Sequence, residues 1–162
     1  MAGDFQKRRL GELCSFLNRG VAPAYVDSAG LLVLNQKCIR DQRVVLAYAR
    51  RTDPARKPVS QDRLIQPHDI LVNSTGTGTL GRVAQVRDLP EPATVDSHVT
   101  IVRPNPDAVD PVYLGYVMRW FEPEIEALGE GSTGQTELSR ARLRSIEIPL
   151  PGRSRQRAIA HI

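Results

Sequence analysis

Residues 70–86 read ILVNSTGTGTLGRVAQV, and within them Gly76, Gly78 and Gly81 stand at the G-x-G-x-x-G spacing of a dinucleotide-binding turn. Such a turn needs a strand before the glycines and a helix after them, because the helix N-terminus supplies the free N–H groups that hold the phosphates. The run from Asp69 to Asn73 meets the first condition. The second fails. From Arg82 to Arg87 the valines alternate with Arg, Ala and Gln, which is nearer the period of two of a strand than the i, i+3, i+4 spacing of a helix. Valine also favours strand. The stretch therefore predicts a β-hairpin over 69–87, with glycines supplying φ > 0 and Ser and Thr filling the turn. A bare, polar tip of this kind suits close approach to another surface.

On either side the chain offers mostly short apolar runs. Upstream, Leu10 to Phe16 fits a short helix or turn, and Gly30 to Asn35 reads as a buried strand. Val44 to Tyr48 is a further apolar run, leading into a basic, proline-broken loop from Arg50 to Pro58. Ser60 to Arg63 permits one capped helical turn before Pro67. Downstream, Ser97 to Arg103 gives a strand rich in β-branched residues. The main helix is predicted at about 110–128: Asp110 is a fitting N-cap, Pro111 takes the first helical position, and Tyr113, Leu114, Val117, Met118 and Phe121 recur at helical spacing. Pro123 ends or kinks it. A polar loop follows from Gly129 to Gly134, then a short helix at 138–143, a last strand at 143–149 and the beginning of a helix at 154–162. One main helix among short strands predicts an α+β domain with a mixed, largely antiparallel sheet.

A length of 162 residues fits one domain with a real core. No apolar run approaches the ~20 residues of a membrane span, and the N-terminus lacks the apolar centre of a secretory signal. Cys14 and Cys38 show no metal-ligand spacing and read as reduced thiols, which fits a cytoplasmic setting. The net charge of +4 hides an asymmetry. Lys37, Arg40, Arg43, Arg50, Arg51, Arg56, Lys57 and Arg63 face only three aspartates over 37–63. Six arginines face a single glutamate over 140–157. Two basic zones on an otherwise acidic chain suggest a surface facing a polyanion, while exposed arginines alone are equally a solvated face.

Catalytic and metal patterns are missing. His68, His98 and His161 stand apart from one another and from the cysteines; Asp96 is near enough to pair with His98, but that histidine reads as a satisfied structural one and not as catalytic. There is no nucleophile elbow and no phosphate-loop lysine. What recurs is short polar side chains beside glycine, in Asn73-Ser-Thr-Gly-Thr-Gly-Thr79 and again in Gly131-Ser-Thr-Gly-Gln-Thr136. These residue types bond phosphates and base edges, and they also build ordinary turns.

The order of several segments resembles a target-recognition domain of the DNA-specificity subunit of Type I restriction–modification enzymes. The residues that carry the likeness are Leu10-Gly-Glu-Leu13 with Gly20 and Pro23, then Asp69 to Gly76 with Leu80-Gly-Arg-Val83. Next come Asp96-Ser-His-Val99 and Gly131-Ser-Thr-Gly-Gln135, then Leu143 through Pro151 followed by Arg155-Gln156 and Ile159. The resemblance implies a non-catalytic protein that selects double-stranded DNA for partner methylation (M) and restriction (R) subunits. It needs no cofactor, metal or small-molecule substrate. It further implies a recognition domain over 1–152 and the start of a spacer helix, cut short, at 153–162. Base-contacting residues differ with the sequence read, so no motif position carries them over.

On this reading Arg50, Arg51, Arg56 and Lys57 neutralise phosphates, and Arg40 or Arg43 reaches a major-groove base edge. Ser74, Thr75, Thr77 and Thr79 contact backbone or bases where the glycines permit close approach, with Gln135 and Arg140 as further contacts. Two other readings stand beside it. A small nucleotide-binding enzyme using Gly76 to Gly81 requires a helix beginning near Arg82. An arginine-rich protein-interaction module requires an acidic partner.

Overall fold

The computed structural model describes residues 5–132 and 134–162. In chain order the strands are β1 (Gln6–Arg9), β2 (Cys14–Arg19), β3 (Tyr25–Val26), β4 (Leu31–Leu34), β5 (Ile39–Arg40), β6 (Arg43–Val44), β7 (Arg50–Thr52), β8 (Ile70–Asn73), β9 (Val83–Gln85), β10 (Ala93–Val95), β11 (Val99–Pro104) and β12 (Glu147–Leu150). The helices are α1 (Pro111–Trp120), α2 (Glu122–Ala127), α3 (Arg140–Arg144) and α4 (Arg153–Ala160). Single 3₁₀ turns lie at Leu10–Glu12, Gln36–Cys38, Leu46–Tyr48 and Gln61–Arg63.

A four-stranded antiparallel sheet in the order β2-β11-β8-β9 forms the middle of the molecule. Its strands alternate between two cores. Ile70 and Val72 of β8, Val83 of β9 and Val102 of β11 join Leu114, Met118, Ile125, Leu143 and Ile148 on the helical side. Leu71, Ala84, Val99 and Ile101 point the other way, into a cluster with Leu32, Leu34, Val95 and Ile39. There a mixed sheet, β10-β4-β7-β3, covers them, with β10 parallel to β4 and the other pairs antiparallel. Burial on both faces explains why β8 reads as the unbroken apolar run Ile70-Leu-Val72 and not as alternation. The fold is the expected α+β class.

The hairpin over 69–87 is present as β8 and β9, in the register Leu71↔Ala84. The helix at about 110–128 is two helices. Asp110 caps α1 by accepting from the amides of Val112 and Tyr113, both at 3.0 Å. Pro123 has no N–H to give to the Arg119 carbonyl, so the ladder breaks at Phe121. The amide of Gln42 reaches that carbonyl instead, at 3.4 Å. The expected last strand starts later than read, at Glu147, because Ser139 caps α3 through the Arg142 amide and carries the helix to Arg144. α4 starts at Arg153, where a helix was expected. Gln156, buried, fixes it by accepting from the Asp110 amide and donating to the Pro151 carbonyl. Both cysteines are free, and burial pushes the Cys14 thiol up to about 12, where it is inert at neutral pH. No helix among the described residues is long and apolar enough to cross a membrane.

Candidate nucleic-acid interface

The connection between β8 and β9 is a tight turn in which Gly76, Gly78 and Gly81 have φ of +99°, +75° and +91°. Its first half is anchored in the interior. Ser74 is fully buried, and its hydroxyl bonds that of Thr100 at 2.6 Å and the Val72 carbonyl at 3.3 Å. Thr75 is 9% exposed; its hydroxyl meets Nδ1 of His98 at 2.7 Å and donates to Oε1 of Gln36 at 3.3 Å. The Thr79 hydroxyl turns inward to the Thr75 carbonyl at 3.1 Å. Thr77 and Gly78 alone stand out at the tip. Of the four hydroxyl residues expected to touch a partner, Ser74 is thus removed from the surface, and Thr75 and Thr79 spend their hydroxyls on the fold. A hydroxyl with satisfied internal bonds has little reason to turn outward.

The second polar segment lies directly against this turn. The Gly76 amide donates to the Thr136 carbonyl at 3.3 Å, and the Leu138 amide donates to the Ser74 carbonyl at 2.8 Å. Thr75 and Glu130 each form a bridge to Glu137. Two stretches that share a composition in the sequence, some 60 residues apart, therefore make one surface element. Gln135 is exposed on it, and Arg140 is exposed beside it, bonded to Oδ1 of Asn18. Of the 131–136 stretch, Thr133 lies outside the described residues.

The turn at Gln36–Cys38 closes the other flank. Asn35 caps it through the Lys37 amide, the Gln36 carbonyl accepts from Nδ2 of Asn73 at 3.0 Å, and Lys37 is exposed. Next to it the Tyr48 carbonyl takes a hydrogen bond from Asn35, and the Tyr48 ring lies 4.8 Å beneath the guanidinium of Arg40. Arg50 stacks on Tyr25 at 3.4 Å. Burial raises the Tyr25 hydroxyl's pKa, with the nearby Asp96 carboxylate adding and Arg50 opposing. Asp96 itself is pushed above the usual carboxylate range by burial, against the bonds it accepts from the backbone amides of His98 and Val99.

The remaining expected contacts are scattered. Arg51 holds Glu91 in a bidentate pair (2.5 and 3.1 Å) and donates to the Gly30 carbonyl at 2.9 Å, so its fork is already occupied. Arg56 and Lys57 are exposed on a turn closed by the Asp53 carbonyl. Arg43 faces Arg40 across the β5–β6 turn and opens on a groove of about 900 Å³ with Arg87, Arg119 and His68. The 140–157 zone is not one patch. Arg140 and Arg142 flank the glycine loop, where Arg142 pairs with Glu130, whereas Arg153 bonds the Pro106 carbonyl and Arg155 lies over Phe5. Sequence reasoning missed Gln36 and read His98 as a satisfied structural histidine. The signal for His98 was its place two residues after Asp96, whose Oδ1 takes the His98 amide at 2.9 Å and holds the residue outward. Among the described residues no cluster of His, Cys, Asp or Glu gathers as for a metal ion.

Where a cofactor turn would need a helix directly after Gly81, the chain runs into β9, so the glycines lead into a strand and not into a helix N-terminus. The model of the Type I restriction modification DNA specificity domain family matches residues 55–162, two thirds of the chain, including the hairpin, the glycine loop and α4. The chain belongs to that family. A curated relative, the putative type I restriction enzyme MjaX specificity subunit of Methanocaldococcus jannaschii, is 24% identical over 98% of the chain. Two solved structures share the fold over 99% of the chain. The S subunit of a Type-I restriction-modification system from M. genitalium matches with TM-score 0.68 at 18% identity. The HsdS subunit from Thermoanaerobacter tengcongensis matches with TM-score 0.72 at 19% identity. The chain spans 37–39% of the length of these relatives. In this specificity-domain fold the residues of the resemblance fall at structural joints: Gly20 packs on the Val95 carbonyl, Gly81 on α2, and Leu10 and Leu13 in the helical-side core.

Proposed function

We propose that this chain is a target-recognition domain of a DNA-specificity subunit. It binds a DNA duplex with sequence preference, performs no chemistry, and places partner methylation and restriction subunits on the site it selects. The observation that carries this, beside the family, is the joining of the two glycine-rich polar segments into one tip, flanked by Lys37, Arg40 and Arg50 on one side and Arg140 on the other. Interior hydroxyls hold the tip rigid, so that Thr77, Gln135 and the flanking cations meet the duplex without a large ordering cost.

The roles divide by chemistry. Arg56, Lys57 and Lys37, all exposed, suit phosphates, and their attraction is sequence-independent and salt-dependent. Arg40, stacked on Tyr48, presents an oriented fork suited to a guanine edge. Arg51 acts within the fold through Glu91. A selection from randomised duplexes tests the reading, using the intact specificity subunit with its methylation subunits at several salt concentrations. A preferred sequence bound with steep salt dependence supports it. Equal binding of all duplexes, or none, rejects it, and tight binding to an acidic protein without DNA preference favours an interaction module instead.

A further inference from the structure

We propose that His98 is a base-reading residue that accepts a hydrogen bond through Nε2 from an exocyclic amino group in the major groove, adenine N6 or cytosine N4. The inference rests on the DNA-recognition reading and goes beyond it by naming a residue and the group it reads. His98 is exposed and lies against the tip: its carbonyl accepts from the Ser74 amide at 2.9 Å, and its own amide is fixed by Asp96 at 2.9 Å.

The imidazole has one face tied down. Thr75 is nine-tenths buried, and its hydroxyl carries a single proton, which goes to Oε1 of Gln36 at 3.3 Å. The same oxygen lies 2.7 Å from Nδ1 of His98, and with its proton on Gln36 it accepts there, the assignment that the ¹⁵N shifts below check. In the tautomer this sets, Nδ1 carries the ring proton, and Nε2 of this exposed residue, which has no hydrogen-bond partner among the described residues, is left as an acceptor. A bare acceptor repels phosphate and the guanine edge and pairs with the amino groups of adenine or cytosine. Gln36 and Thr75 are positioning residues: they set which nitrogen is free.

Two measurements test this on the specificity subunit in its methylation complex. In the randomised-duplex selection, His98→Ala should lose preference at one A·T or C·G pair by about tenfold while the other positions keep theirs. Replacing that adenine by purine riboside's deoxy analogue, or that cytosine by 2-pyrimidinone, removes the amino group and identifies which base is read. The analogue should weaken the wild type as much as His98→Ala does and leave the variant unaffected. In the free chain, ¹⁵N imidazole shifts should show the proton on Nδ1, and Thr75→Val should release that preference while Thr75→Ser keeps it. Uniform weakening on all duplexes means a phosphate contact and overturns the proposal, as do an unchanged selection profile or a proton on Nε2. If the wild type selects no sequence at all, the DNA-recognition reading itself has failed.

Discussion

Gly81→Ala isolates the role of the glycines. Gly81 has φ +91°, and a Cβ added there would lie 2.8 Å from both N and Cα of Glu126 in α2. An alanine held at such a φ costs about 1–2 kcal/mol. Forcing a methyl group against a helix backbone adds about 1–3 kcal/mol of overpacking. Gly78 has φ +75° but nothing within 4 Å of its added Cβ, so Gly78→Ala bears only the first cost. Urea unfolding followed by circular dichroism measures both. With a slope of roughly 2 kcal/mol per molar, Gly81→Ala should lower the midpoint by about 1–2.5 M and Gly78→Ala by less than about 1 M. NAD or ATP should move neither midpoint, since a ligand of the native state raises stability with its concentration. Equal shifts for the two variants, or a midpoint raised by a nucleotide, would refute the assignment of Gly81 to a packed hairpin corner.

Three other outcomes are expected. Arg103, mostly buried, holds both oxygens of fully buried Asp69 at 2.8 Å and reaches the Leu64 carbonyl, so Arg103→Ala should cost about 3–5 kcal/mol in the same unfolding assay; a loss below about 1 kcal/mol contradicts the bridge's structural weight. Arg51 holds the Glu91 carboxyl below the usual glutamate range. The stability from this pair is therefore complete above the ordinary glutamate range and is lost as pH falls through the lowered value, and Glu91→Gln should remove that part of the acid limb of a stability–pH curve. Arg56→Ala and Lys57→Ala should each weaken all duplexes alike and reduce the salt slope by about one unit, and a change at one base pair only would move them to the base-reading group.

The fold was legible where one local signal dominated. Asp110-Pro111 fixed the start of α1, and the glycines between two valine-rich runs fixed the β8–β9 hairpin, whereas the Ser139 cap that starts α3 at Arg140 went unread. Strands made of polar residues were not legible. β1 is Gln-Lys-Arg-Arg, exposed throughout and held by pairing with β12, and β7 is Arg-Arg-Thr, ordered between β4 and β3. Nothing in their periodicity marks them, because neighbours rather than propensity decide them. The same blindness affected the site. Ser74 and Thr77 are chemically alike and three residues apart, yet one is fully buried and the other exposed. Only the tertiary partners, Thr100 for one and solvent for the other, separate a structural hydroxyl from a contact.

Photo-cross-linking is the most direct test of the account: a benzophenone side chain placed at position 77, with position 107 as the comparison, in the methylation complex on its preferred duplex. Both residues are exposed, but β11 starts at the glycine tip, where Val99 pairs with Asn73, and Asp107 follows its other end at Pro104. DNA cross-links from 77 and none from 107 are predicted. Cross-links from 107 with 77 silent would place the duplex against another face and contradict the account.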